Sequence, residues 1–220
     1  MRKSIVVTLL VLVLVALAGF GHAEPAKIRI LHVNDFHGFA APSEPAGTNQ
    51  PLGGIAWLAG EAERLRKEIP TLFLAAGDMI QGNCWANFFQ GSSVIELMNL
   101  MRFDAMVVGN HEFDFGLDVL RKRVAEALFP ILGANVEGLN FIRSSVVEVV
   151  GGVKVAIIGV VTEETPFTTN PRNVAGIIFR SPAETLARLV PDLRQTADVV
   201  IVLSHVGYPM DRVLAEQVAG

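Results

Sequence analysis

The segment VVGNHEFDFG, Val107 to Gly116, sets an amide, an imidazole and two carboxylates directly behind an apolar run. Polar groups of the same kind follow three other apolar runs: Asn34-Asp35-Phe36-His37 after Ile28 to Val33, Gly77-Asp78 after Thr71 to Ala76, and Ser204-His205 after Val199 to Leu203. Singly, each is an ordinary turn, because Asp and Asn bond their own backbone and Gly accepts a positive φ. Together they supply carboxylate and amide oxygens with imidazole nitrogens. That mixture suits borderline divalent cations such as Zn²⁺, Mn²⁺ or Fe²⁺, whereas Ca²⁺ favours shells made of oxygen alone. Asp35, His37, Asp78, Asn110 and His205 are too many for one tetrahedral ion. A carboxylate can bridge two cations about 3.5 to 4 Å apart, and such a pair clamps the attacking and leaving oxygens of a phosphoryl displacement.

These residues can act together only if the runs before them end at one place. From Lys27 onward short β-rich runs alternate with amphipathic stretches, the pattern of an α/β domain with a largely parallel sheet covered by helices. Strands are predicted at 28–33, 71–76, 105–108, 130–133 and 199–203, and helices at 54–67, 93–101, 117–127, 182–196 and 211–218. Gly151-Gly152 separates two Val-rich runs, 146–150 and 153–161, and tolerates the positive φ of a tight hairpin turn, so that pair is read as antiparallel. Residues 39–52, rich in Pro, Ala, Ser and Gly, read as a mobile surface loop. In open α/β sheets the carboxyl ends of the strands converge on one crevice, so the four polar turns are expected to face each other there.

The stretches LHVNDFHG, AAGDMIQG, GNHEFDFG and LSHVGYPMDRVLAEQV resemble, in that order, the signature blocks of the calcineurin-like metallophosphoesterases, in the wording of their secreted 5'-nucleotidase branch. The resemblance implies a layered sandwich of mostly parallel and mixed sheets flanked by helices. It also implies that Asp35 and His37 hold one divalent metal ion, Asn110 and His205 hold a second, and Asp78 bridges the two, with metals of the Zn, Mn, Fe or Co class. His111 is then a catalytic group outside the metal shells, facing the phosphate and paired with Asp114. A water activated by the cations attacks phosphorus, so no protein nucleophile is required. Glu112 reads as a turn residue or as an acceptor supporting the ligands, Phe113 and Phe115 as walls of the site, and His32 as a structural strand residue. The substrate implied is a small phosphate ester, foremost a nucleoside 5'-monophosphate. Alternatives within the fold are a 2',3'-cyclic-nucleotide 2'-phosphodiesterase with 3'-nucleotidase activity and hydrolysis of nucleotide-sugars or thiosulfate esters. A catalytically dead metal-binding fragment is the alternative from another class. The resemblance further predicts a Gly-His-x-His block after His205, which this sequence does not contain; the chain is therefore expected to be truncated at its C-terminus, without a second, substrate-binding domain.

The 220 residues, 51% hydrophobic with a formal charge of −4, suffice for one globular domain and offer no basic field for nucleic acid. Part of that hydrophobicity lies in a leader. Arg2 and Lys3 precede an apolar run from Ile5 to Phe20, and the small residues Gly21 and Ala23 stand at the −3 and −1 positions of a cut before Glu24. A signal peptide over 1–23, a catalytic domain over 24–220, a periplasmic or secreted location and no membrane contact after cleavage follow as expectations. An uncleaved anchor is the alternative, since the run is only a little shorter than the ~18 to 20 residues that span a bilayer. Cys84 is the only cysteine and excludes an internal disulfide. It reads as a small buried hydrophobe.

Overall fold

A computed structural model describes residues 26–218; the leader expected over 1–23 lies outside the described residues. Among the described residues nine strands form three sheets. The first is wholly parallel, in the order β1 (Arg29–Val33), β2 (Thr71–Ala75), β3 (Ala105–Val107) and β4 (Ile131–Leu132). The second is mixed: β6 (Ser145–Val150) and β7 (Val153–Val161) form an antiparallel hairpin through Gly151 and Gly152, at φ 57° and 83°, and β9 (Val199–His205) lies parallel to β7. A two-residue pair, β5 (Val136–Glu137) with β8 (Ile178–Phe179), forms the third.

Alternation along the strands explains how the sheets stack, because successive side chains point to opposite faces. On β2, Phe73 and Ala75 turn to a helical layer made by α1 (Ile55–Arg66), α3 (Ser92–Leu100) and α4 (Leu117–Glu126), where Val94, Ile95, Met98 and Leu120 are buried. Leu72 and Leu74 turn the other way, onto Val155, Ile157 and Leu203 of the mixed sheet. The opposite face of β7, with Ile158 and Val160, packs on Leu186, Val190 and Leu214 of α6 (Pro182–Arg194) and α7 (Tyr208–Gln217). The layers are thus helix, parallel sheet, mixed sheet, helix, as expected of an α/β sandwich.

The long elements lie where the periodicity predicts them, within a few residues. The strands divide between two main sheets, one parallel and one mixed, as the layered sandwich implies, with β9 beside β7. Several short pieces carry no periodic signal: α2 (Cys84–Phe88), α5 (Thr165–Thr168), and single 3₁₀ turns at His111–Phe113 and Pro171–Val174. Residues 39–52 are pinched by a backbone bridge between Ser43 and Leu52.

Candidate functional site

Because β1, β2 and β3 are parallel neighbours, the chain leaves each of them at the same edge of the sheet. Main-chain bonds tie these exits together: the Asp35 N–H donates to the Gly77 carbonyl and the His37 N–H to the Asp78 carbonyl, both at 3.1 Å. Asp35, His37 and Asp78 all hold a left-handed backbone, at φ 51°, 48° and 56°. Non-glycine residues seldom sit there, and such strain gathers at functional sites. β9 reaches the same place from the second sheet.

The side chains meet around Asp78, which is nearly buried. One ligand atom from each of Asp35, His37 and Asp78 falls within a 4.8 Å cluster. His37 Nε2 is 3.8 Å from Asp35 Oδ1 and 4.0 Å from Asp78 Oδ2; from the other sheet, His205 Nε2 is 3.2 Å from the same Asp78 oxygen. Each histidine is oriented from behind, His37 Nδ1 lying 2.9 Å from the Gln81 carbonyl and His205 Nδ1 2.7 Å from that of Ala76. A carbonyl only accepts, so both Nδ1 atoms carry protons and both Nε2 atoms point at the carboxylates. Asn110 lies between two residues that touch Asp78. The His111 N–H donates to Asp78 Oδ1 at 2.9 Å, and a Cβ added to Gly109 would sit 2.1 Å from that oxygen, so only glycine permits the approach.

The electrostatics follow this geometry. Burial resists charge on Asp78, yet the bond from His205 and the N–H of His111 hold its carboxyl below the usual range. Burial likewise opposes charge on His205, but Asp78 outweighs it and the pKa is pushed up to about 9. Two imidazoles and two carboxylates whose donor atoms already face one another, with their far nitrogens fixed by carbonyls, fit a divalent cation in place of a shared proton.

His111 and Asp114 form a second unit. His111 Nδ1 lies 2.6 Å from Asp114 Oδ2, and since a carboxylate only accepts, Nδ1 is the donor and Nε2 is left free. The His111 ring stands edge-on to that of His37, with centroids 5.2 Å apart. Burial lowers the pKa of His111, but Asp114, helped by the Asp78 charge, raises it above the ordinary value.

The other residues singled out in the sequence lie around this centre. Glu112 is fully buried, and its carboxylate accepts from four backbone N–H groups: those of Gly109 at 2.6 Å, Asp78 at 2.8 Å, Met79 at 2.7 Å and Ile80 at 3.3 Å. It welds the turn after β2 to the turn after β3. Burial and the Asp78 charge push its pKa up while those N–H bonds work against them. Phe113 does not wall the site; the 3₁₀ turn swings it into the core, edge-on to Phe179, and Phe115 packs on the same cluster. Cys84 is exposed, opening α2 with Sγ against Asn83, so the expectation of a buried cysteine is corrected. His32 is exposed on β1, lining a groove between β1 and β9. Thr169 and Asn173 contact Asp114 and were not anticipated, since they follow no strand end and stand 55 and 59 residues away in sequence.

Fold and site together define a class. Residues 28–218 match the calcineurin-like phosphoesterase family, and the chain belongs to it. It is 35% identical to the 5'-nucleotidase of Mus musculus over 215 residues, covering 90% of this chain and 37% of that one. Among solved structures it is similar to the 5'-nucleotidase precursor of Thermus thermophilus, with a TM-score of 0.80, 33% identity, and coverage of 84% of this chain and 38% of that one. The NAD nucleotidase of Haemophilus influenzae superposes with a TM-score of 0.76 at 30% identity, over 84% and 35% of the two chains. The chain therefore spans well under half the length of these relatives. Membership implies divalent metal ions, and the described residues hold a cluster able to take one.

Proposed function

We propose that this chain hydrolyses phosphate monoesters, nucleoside 5'-monophosphates foremost, at a site for two divalent cations of the Zn, Mn, Fe or Co class. Convergence on Asp78 carries the reading. One buried carboxylate faces His37 and His205 from two different sheets, and an imidazole held by its own carboxylate stands beside it. Asp35 and His37 would hold one cation, Asn110 and His205 the other, and Asp78 would be shared. When bound, the cations supply an activated water and neutralise charge on the phosphoryl oxygens.

The remaining work falls to the chain itself. Asp114 keeps the proton on His111 Nδ1 and favours the cationic ring, so that Nε2 donates to a phosphoryl oxygen and passes its proton to the leaving alkoxide. Glu112 fixes the two turns that carry Asp78 and Asn110. Residues 1–23 are read as an export leader and 24–220 as the catalytic part, which places the enzyme in the periplasm or outside the cell; the ordered basic start, apolar run and small residues support this. Mass spectrometry of exported protein should find Glu24 at the N-terminus, and a form retaining Ile5 to Phe20 would mean an anchor instead.

The chemical reading is tested by measuring bound metal together with phosphate release from AMP, 2',3'-cyclic AMP, NAD and p-nitrophenyl phosphate. AMP is expected to be the preferred substrate. Asp78→Asn should lower metal content, whereas His111→Ala should keep it and lose about 10²-fold or more in turnover, the scale of a positioned acid or base. Loss of metal in the His111 variant would overturn its assigned role. Full metal occupancy without phosphate release from any ester would leave a metal-binding module in place of an enzyme.

A further inference from the structure

The segment after β7 belongs to none of the strand-end turns that gather the ligands, yet it reaches the His111–Asp114 pair twice. The Thr169 hydroxyl donates to Asp114 Oδ1 at 2.5 Å, and Asn173 Nδ2 donates to the Asp114 main-chain carbonyl at 2.7 Å. The other carboxylate oxygen, Oδ2, receives His111 Nδ1 at 2.6 Å. A carboxylate bonded through one oxygen can still swivel about its Cβ–Cγ bond. Bonded through both, and with its backbone pinned, it presents Oδ2 in one direction only.

We propose that Thr169 is a positioning residue, whose hydroxyl sets the plane of the Asp114 carboxylate and so the direction of the His111 imidazole without touching substrate. The hydroxyl is itself on a rigid mount. The Thr169 N–H donates to the Thr165 carbonyl at 3.1 Å; Thr165 is fully buried, with its own hydroxyl 2.7 Å from the Thr162 carbonyl. The Thr162 N–H in turn donates to the main-chain carbonyl of His205 at 3.0 Å. One run of bonds therefore leads from the histidine beside Asp78 to the histidine beside Asp114. The two imidazoles are registered against each other through residues 162–169, a second route beside the one that runs through Asp78.

The catalytic consequence rests on His111 acting at the phosphoryl group, but the bond geometry does not, and the test separates the two. Thr169→Val keeps the shape and removes the donor, Thr169→Ala removes both, and Thr169→Ser restores the donor. In Zn²⁺-treated full chain labelled with ¹⁵N-histidine, the Nδ1–H proton of His111 is assigned by its loss in His111→Asn. That resonance should be low-field and protected in the parent and in Thr169→Ser, and weakened by exchange with water or moved upfield in Thr169→Val and Thr169→Ala. Turnover of AMP should fall about 10-fold in the Val variant with bound metal and KM unchanged, as for other groups that orient a working residue from behind, and recover in the Ser variant. An unaltered resonance in both Val and Ala variants, or failure of Ser to restore it, overturns the proposal. A parent that shows the resonance but hydrolyses nothing overturns the enzymatic reading and leaves the positioning role to be decided by the spectrum alone.

Discussion

His205 stands between two acceptors, the Ala76 carbonyl at Nδ1 and the Asp78 carboxylate at Nε2. Without a cation both nitrogens carry protons, which is why its pKa rises from 6.5 to about 9 despite burial. A histidine raised on folding contributes stability that is complete below its unfolded pKa and disappears as pH climbs through the folded value. The metal-free protein should therefore lose at most about 3 kcal/mol between roughly pH 6.5 and 9, the Asp78 partner belonging to the same interaction and counted once. Urea melts in EDTA at the two pH values check this, and His205→Asn should flatten the difference. The same proton has to leave when a cation arrives. Zn²⁺ affinity should thus rise across this window, and calorimetry in buffers of different ionisation enthalpy should register a released proton.

Among the elements, β9 is an uncharged sheet edge. It pairs with β7 on one side and with no other described strand, its residues Val199 to Leu203 carry no charge, and Val199 and Val202 are each 38% exposed. An uncharged, unpaired edge invites pairing with other chains. Val202→Lys should slow aggregation, followed by light scattering, while leaving the melting temperature within a few degrees; equal aggregation would place the sticky surface elsewhere. The elements also show what the sequence could reveal. Strands such as β7 show as unbroken apolar runs and helices such as α6 as a repeat of apolar residues, and Asp35, His37, Asp78, Asn110 and His205 were visible because polar groups directly after apolar runs break the pattern. Cys84–Phe88 and Thr165–Thr168 are too short to show a period. Phe113 could not be placed because a single 3₁₀ turn decides whether its ring meets substrate or core. Glu112 was visible as an acceptor, but its four N–H partners come from two turns that only the fold brings together. Thr169 had no signal, since a hydroxyl in a turn acquires meaning only from the carboxylate opposite it.

At the scale of the molecule, the parallel and mixed sheets press Leu72, Leu74 and Val107 against Val155, Ile157 and Leu203, and at their shared edge the site spans the seam. Beside the seam lies a cavity of about 720 Å³, lined by residues such as Ile30, His32, Leu186, Val190 and Tyr208, which leaves β1 and β9 in contact with solvent there. On that side apolar packing is joined by the bond between His205 Nδ1 and the Ala76 carbonyl, both at the cavity wall.

The Ala76–His205 contact joins positions 129 residues apart. Seen as a polymer, a cation shared by Asp78 and His205 is a removable cross-link: it closes a loop of over a hundred residues, which in chain-entropy reasoning is worth about 4 to 5 kcal/mol when the link is permanent. The melting temperature should accordingly climb with the logarithm of free Zn²⁺ or Mn²⁺, by an amount corresponding to about 2.7 kcal/mol at a hundredfold excess over Kd, and fall back on chelation; a melting point indifferent to metal would mean the seam holds without it. Metal supply would then govern how long the folded chain survives as well as how fast it works, and a cell that starves the site would also shorten the life of the protein around it.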